Sequence, residues 1–272
     1  MRKVKEIVSF LLSSILMITF ICFALFIVTR YSLLSVDGIM RSCDESQYFK
    51  KLQEEIIEQA YYEGIPFGID KQCVETVFSE DLIRLNMKNT LNAQVGKKKN
   101  LIQLDEITSG IKTNVIEEYK EIDKSEEAAL DTYIANVCKL YKEKMKLPGH
   151  MYLSKLIRLF AQVAKIGIFI CIMIFVFCAV VLIAIRRYGH HGLRFVAYGA
   201  LAAGSTLSAF SVAIILSGII KGFDISSELL NELFIVHLTH QLYMMLFAGV
   251  VLLLIGFLTI WIVSKQRKRL IR

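Results

Sequence analysis

Four stretches of this chain contain no Asp, Glu, Lys or Arg: residues 7–28, 166–185, 195–220 and 242–263. They are 22, 20, 26 and 22 residues long. A hydrocarbon layer about 30 Å thick is crossed by about 20 helical residues at 1.5 Å each. In lipid, backbone polar groups must bond within the segment, so an apolar stretch of this length crosses as a helix. These stretches also account for the composition: 55% of the 272 residues are hydrophobic, against roughly 45–50% in soluble chains. The expected fold class is an all-α integral membrane protein with four transmembrane helices and an extracytoplasmic helical domain between spans 1 and 2.

Charge sets the expected orientation. The net charge of +7 is divided between two regions of opposite sign. Residues 31–158 hold 21 acids and 18 bases, and the remainder holds 4 acids and 14 bases. The basic excess therefore flanks the spans and does not lie on a folded domain, which argues against a nucleic-acid partner. It falls in three segments: Arg2, Lys3 and Lys5 before the first span; Arg186, Arg187 and Arg194 between the second and third; and Lys265, Arg267, Lys268 and Arg269, with Arg272, after the fourth. Positive residues are retained in the cytoplasm. Both termini are thus expected inside a cell (plasma) membrane, in a multi-pass arrangement with the lipid bilayer as the chain's first partner.

Three regions follow. Residues 1–30 form a cytoplasmic tip and the first span, read as an uncleaved signal anchor, because the apolar stretch exceeds a signal-peptide core of 7–15 residues. Residues 31–158 form the outer domain. Residues 159–272 hold spans 2–4 and a basic tail.

The outer domain reads as helices. Tyr48, Phe49, Leu52, Ile56, Ile57, Ala60 and Tyr61 recur at three- and four-residue steps, the pattern of one apolar helix face. Gly64-Ile65-Pro66-Phe67-Gly68 breaks it. Asp70 is placed to cap a short helix carrying Val74, Val77 and Phe78, and Ser79 precedes another with Leu82, Ile83, Leu85 and Leu91. Ile107, Ile111, Val115, Ile116 and Tyr119 define a further face. Leu130, Tyr133, Ile134, Val137, Leu140 and Tyr141 define the last, ending at Leu147-Pro148-Gly149. A small antiparallel bundle is expected. No proline interrupts Met151–Ile185, so the second span is expected to be one helix about 52 Å long at 1.5 Å per residue.

Candidate chemistry is sparse. His237 and His240 lie three residues apart, with Glu228 and Glu232 on preceding turns, so a metal site is weighed against polar residues at a membrane interface; the interface reading is preferred. No cofactor is implied. Cys43, Cys73 and Cys138 permit at most one bridge. In the third span Ala200, Gly204 and Ser208 recur at four residues, as do Ser205, Ala209, Ala213 and Ser217. Small residues at that spacing allow close helix approach, either within the chain or in a homodimer. There is no P-loop or GxSxG run, and the spans hold no ionisable pair for ion coupling. No catalytic residue is nominated.

One span, a large exported segment and three further spans resemble the plan of the FtsX and MacB-like permease subunits of ABC systems. The resemblance is one of topology alone. The segment Arg186–Arg194 does not match that family's coupling stretch, and its exported domain is mixed α/β. The expected function is a non-enzymatic bacterial membrane protein whose outer domain binds or positions an envelope component or partner protein. The alternative is a permease-like or accessory subunit working with a separate ATPase.

Overall fold

A computed structural model describes residues 2–94, 102–119, 124–146, 150–185, 189–225 and 227–270. Its long elements are α1 (Arg2–Val28), α2 (Val36–Glu45), α3 (Tyr48–Gly64), α4 (Gln72–Glu75) and α5 (Glu80–Gln94). They continue with α6 (Asp105–Tyr119), α7 (Lys124–Lys144), α8 (His150–Ile185), α9 (Gly189–Ser217) and α10 (Glu228–Leu270). Among the described residues there is no strand. Four stretches are long and apolar enough to cross a membrane: Val4–Leu33, Ile157–Ile185, His191–Ser217 and Glu228–Gln266. That is the pattern of a multi-pass membrane protein.

The chain divides into two compact units. An apolar unit comprises Met1–Ile39, Leu159–Ser226 and Phe234–Arg272; an intervening unit comprises Met40–Arg158 with Ser227–Leu233.

In the apolar unit, helices meet where side chains are smallest. A Cβ on Gly199 would stand 3.1 Å from the Ser13 carbonyl oxygen and from Leu16, and Ser13 Oγ donates to the Phe195 carbonyl at 2.8 Å. These contacts join α1 to α9. A Cβ on Gly204 would stand 2.7 Å from the Gly249 carbonyl oxygen, and one on Gly256 2.7 Å from Leu201, so α9 and α10 touch backbone to backbone. Gly167 on α8 faces the Phe26 ring of α1, and Phe20 and Phe175 pack at 5.5 Å between the same two helices. Close packing at small residues and the occasional interhelical hydrogen bond are the interactions that hold helices together where the surroundings are as apolar as leucine.

Two boundaries depart from the sequence reading. The third apolar block reaches residue 220, but α9 stops at Ser217, because Gly218 turns left-handed at φ +68° and Ile219–Gly222 tightens into a 3-10 turn. At the other boundary, the apolar unit continues past Val28 through a π-helical turn, Thr29–Leu33, and α2 follows at once. The sequence reading placed no element there. Gly38 makes the junction possible: a Cβ would lie 2.2 Å from the Ser32 carbonyl oxygen.

The intervening unit is a bundle of α3, α5, α6 and α7. Phe49, Leu52, Ile56, Ile83, Met87, Leu91, Ile107, Ile111, Tyr133 and Tyr141 are buried in its core. Ser79 caps α5 by accepting from Leu82 N at 3.2 Å, as its position suggests. Asp70 does not act as a side-chain cap; its carbonyl accepts from Cys73 N at 3.2 Å. The helix it precedes is a single turn that ends at Glu75, leaving Val77 and Phe78 outside it. Three residues assigned to apolar faces are exposed: Leu85, Ile116 and Tyr119. Within the core, Asn86 is paired on both sides of its amide. Asn86 Nδ2 donates to Tyr141 OH at 2.9 Å, and Asn86 Oδ1 accepts from Gln103 N at 2.8 Å.

Candidate functional site

The turn that ends α3 is built for rigidity. Gly64 sits in close quarters, since a Cβ there would stand 3.3 Å from Ile69 and 3.4 Å from the Tyr133 ring. Ile65–Phe67 forms a 3-10 turn with Pro66 near its start and Gly68 closing it at φ +71°, a conformation that favours glycine. Gly68 N donates to the Ile65 carbonyl at 3.1 Å and Ile69 N to the Gly64 carbonyl at 3.1 Å.

Two aromatic side chains clamp this turn from neighbouring helices. Tyr133 of α7 donates its hydroxyl to the Ala60 carbonyl at 3.0 Å, and its ring packs 5.8 Å from Phe67. Tyr119, the last residue of α6, donates to the Gly68 carbonyl. Behind Tyr119, Cys73 donates its thiol to Glu118, and Asn114 Nδ2 donates to the Cys73 carbonyl at 2.8 Å and to Thr76 Oγ1 at 2.9 Å. These bonds tie α4 to the end of α6.

Apolar groups face outward from this frame. Tyr62 is 59% exposed, Ile65 53%, Ile116 46%, Tyr119 43% and Phe67 37%. Ile116 and Tyr119 lie three residues apart and so share one side of α6. The adjoining sequence is acidic: residues 52–70 contain Glu54, Glu55, Glu58, Glu63 and Asp70 and no Lys or Arg, with Glu55 paired to Lys144, and Glu117 and Glu118 precede Tyr119 on α6. Of the exposed apolar groups, Tyr119 is tied directly to the turn by its bond to Gly68.

The chemistry here favours holding over reacting. Burial, then the bond to Glu118, pushes the Cys73 thiol up to about 12. Burial likewise raises the Tyr133 and Tyr119 phenols above their ordinary range. A thiol held protonated is a poor nucleophile at neutral pH.

The other sequence-nominated residues fall elsewhere. His237 has its Nε2 3.0 Å from the Leu33 carbonyl oxygen, and Glu232 pairs with Lys51. Among the described residues no three His, Cys, Asp or Glu gather to hold a metal. All six cysteines are thiols. In the third span, Ala200 is buried, and Gly204 and Ser208 meet Gly249 of α10, whereas Ala209 and Ala213 face outward.

Of the basic residues, Arg194 bonds the Tyr198 hydroxyl and lies 5.5 Å from that ring's centre. Lys265 lies 5.3 Å from the Trp261 ring, and Lys5 is exposed. Arg186, Arg187 and the side chains of Arg2, Lys3, Arg267, Lys268 and Arg269 lie outside the described residues, as do Leu147-Pro148-Gly149.

The aromatic turn escaped the sequence reading, which took Gly64–Gly68 as punctuation only. A signal was present: Ile65 and Phe67 are bulky apolar residues in a turn, where polar ones are usual. Comparison of the chain with protein-family models, with curated proteins and with solved structures gave no match.

Proposed function

We propose that this chain is a non-enzymatic cell-membrane protein whose intervening unit lies outside the cytoplasm and holds a partner polypeptide of the envelope on its aromatic turn. The observation that supports the reading is the pairing of rigidity with exposure: Ile65 and Phe67 are exposed on a turn held by Tyr133 and Tyr119, with Tyr62 exposed on α3 before it and Ile116 and Tyr119 exposed on α6. A preorganised surface loses little conformational freedom on binding. The acids around it favour a partner presenting basic and apolar side chains, and oppose anionic polymers and lipid headgroups.

Orientation rests on the basic segments at the two chain ends and between α8 and α9, which favour the cytoplasmic side. Arg194 with Tyr198 and Lys265 with Trp261 support the same end as an interface, where aromatic and long basic side chains settle.

Site-specific photo-crosslinking in membranes tests the function. A crosslinking residue replacing Tyr62 or Ile65 is expected to give a discrete protein adduct, and one replacing exposed Asp131 on α7 is expected to give none. The double substitution Tyr62→Ser with Ile65→Ser should shift stability by no more than about 0.5 kcal/mol, as surface changes do, while weakening recovery of that partner. Equal adducts at all three positions, or none at any, would refute the proposal.

A further inference from the structure

The apolar unit contains a polar cluster that its own backbone does not satisfy. Hydroxyls on long apolar helices commonly donate to the preceding turn. Here Ser9 does so to Lys5, Thr19 to Ile15, Thr206 to Ala202 and Thr259 to Ile255, at 2.7–2.9 Å. Ser208 and Ser211 do not: both hydroxyl oxygens are buried and neither has a partner. On α10 the same holds for Gln241, whose amide nitrogen and oxygen are both buried and both without a partner. Gln241 is 6% exposed and Ser211 0%.

Helix register brings the three side chains to neighbouring levels of α9 and α10. Gly204 and Gly249 mark where α9 and α10 touch, and the two helices run in opposite directions. Ser208 lies against Gly249, 2.5 Å from where a Cβ would stand. Ser211 is seven residues beyond Gly204, two turns along the same face. Gln241 is eight residues before Gly249, which sets it at the level of Ser211. One turn nearer the start of α10, His237 faces the Leu33 carbonyl, and His240 is half-buried. Polar groups thus run from the end of the bundle where α10 begins to the level of Ser208.

We infer that Ser208, Ser211 and Gln241 form a water-binding pocket between α9 and α10, reached from the end where α9 finishes and α10 starts. Water is the ligand that fits. The three side chains offer donors and acceptors of either sense and no charge, which suits a neutral molecule that both donates and accepts. Buried waters bridge polar side chains of this kind with two to four bonds. An ion would need a carboxylate or a ring of oxygens, and among the described residues no acid lies on α9.

Thiol reactivity in native membranes tests the pocket. In the full-length chain with its six cysteines replaced, Ser211→Cys and Ala203→Cys are compared. Both positions are buried, but Ala203 lies eight residues back along α9, away from Ser211 and Gln241. A small polar methanethiosulfonate is expected to modify Ser211→Cys at least ten-fold faster. Equal slow rates, with both variants monodisperse in detergent, would overturn the pocket. A second readout tests the hydration of the amide itself. Gln241→Leu should lower the midpoint of thermal unfolding, because it breaks a hydrated network. If the amide stands dry, removing it should raise the midpoint, and that result also overturns the inference.

Discussion

Asn86 is the residue on which the polar core of the intervening unit turns. It is fully buried and joins three segments, because its amide donates to Tyr141 on α7 and accepts from Gln103 ahead of α6. Removing one partner leaves the others buried and unbonded, which costs about 1–3 kcal/mol. Asn86→Ala is therefore expected to destabilise the full chain by about 2 kcal/mol or more in a denaturant titration. An effect below about 0.5 kcal/mol would show the pair to be dispensable.

Cys43 makes a prediction of the same grain. Burial, with Asp44 adding to it, pushes its thiol from 9.0 up to about 12. The folded chain therefore holds that proton more tightly than the unfolded chain. The stabilisation is complete below pH 9 and is lost as pH rises toward 12. The unfolding midpoint should fall across that window, and Cys43→Ala should flatten the slope there whatever it does to the midpoint at pH 7.

Among elements, α9 is the informative one, because its small residues are split between two faces. Gly204 meets the α10 backbone, and Ala209 faces outward. Gly204→Val forces atoms into a contact already at its limit, and overpacking of this kind costs about 1–3 kcal/mol. Ala209→Val adds two carbons at an exposed position, so about 0.5 kcal/mol bounds its effect. Thermal unfolding in detergent separates the two; equal losses would mean that α9 packs by the other face. The sequence reading saw both rows of small residues and could not divide them. Spacing shows that a helix can approach a neighbour closely, but only the neighbour's position shows which row is used.

For the whole molecule, the proposed orientation predicts a graded pattern of thiol labelling. Applied to intact cells, an impermeant maleimide should modify half-exposed Cys138 without denaturant, and Cys43 and Cys73 only after unfolding, since both are buried. Failure to label Cys138 in cells, with labelling restored once they are opened, would place the intervening unit on the other side.

The four helices long and apolar enough to cross a membrane were legible from composition alone, because hydrocarbon excludes charge and demands about 20 residues of internally bonded backbone. The helical character of the intervening unit was legible too, from periodicity in faces such as Phe49, Leu52 and Ile56, which the core does bury. Periodicity identifies what a helix prefers to bury but not how much of it finds cover, so Ile116 and Tyr119 read as core and stand exposed. Other features depend on partners distant in the chain: the clamp of Tyr133 and Tyr119 on the turn after α3, the Gly204–Gly249 contact, and the unbonded Gln241. The local chain specifies a helix and its apolar side. Which small residue becomes a contact, which apolar one a binding surface, and which amide a buried site is decided when helices far apart in sequence come together.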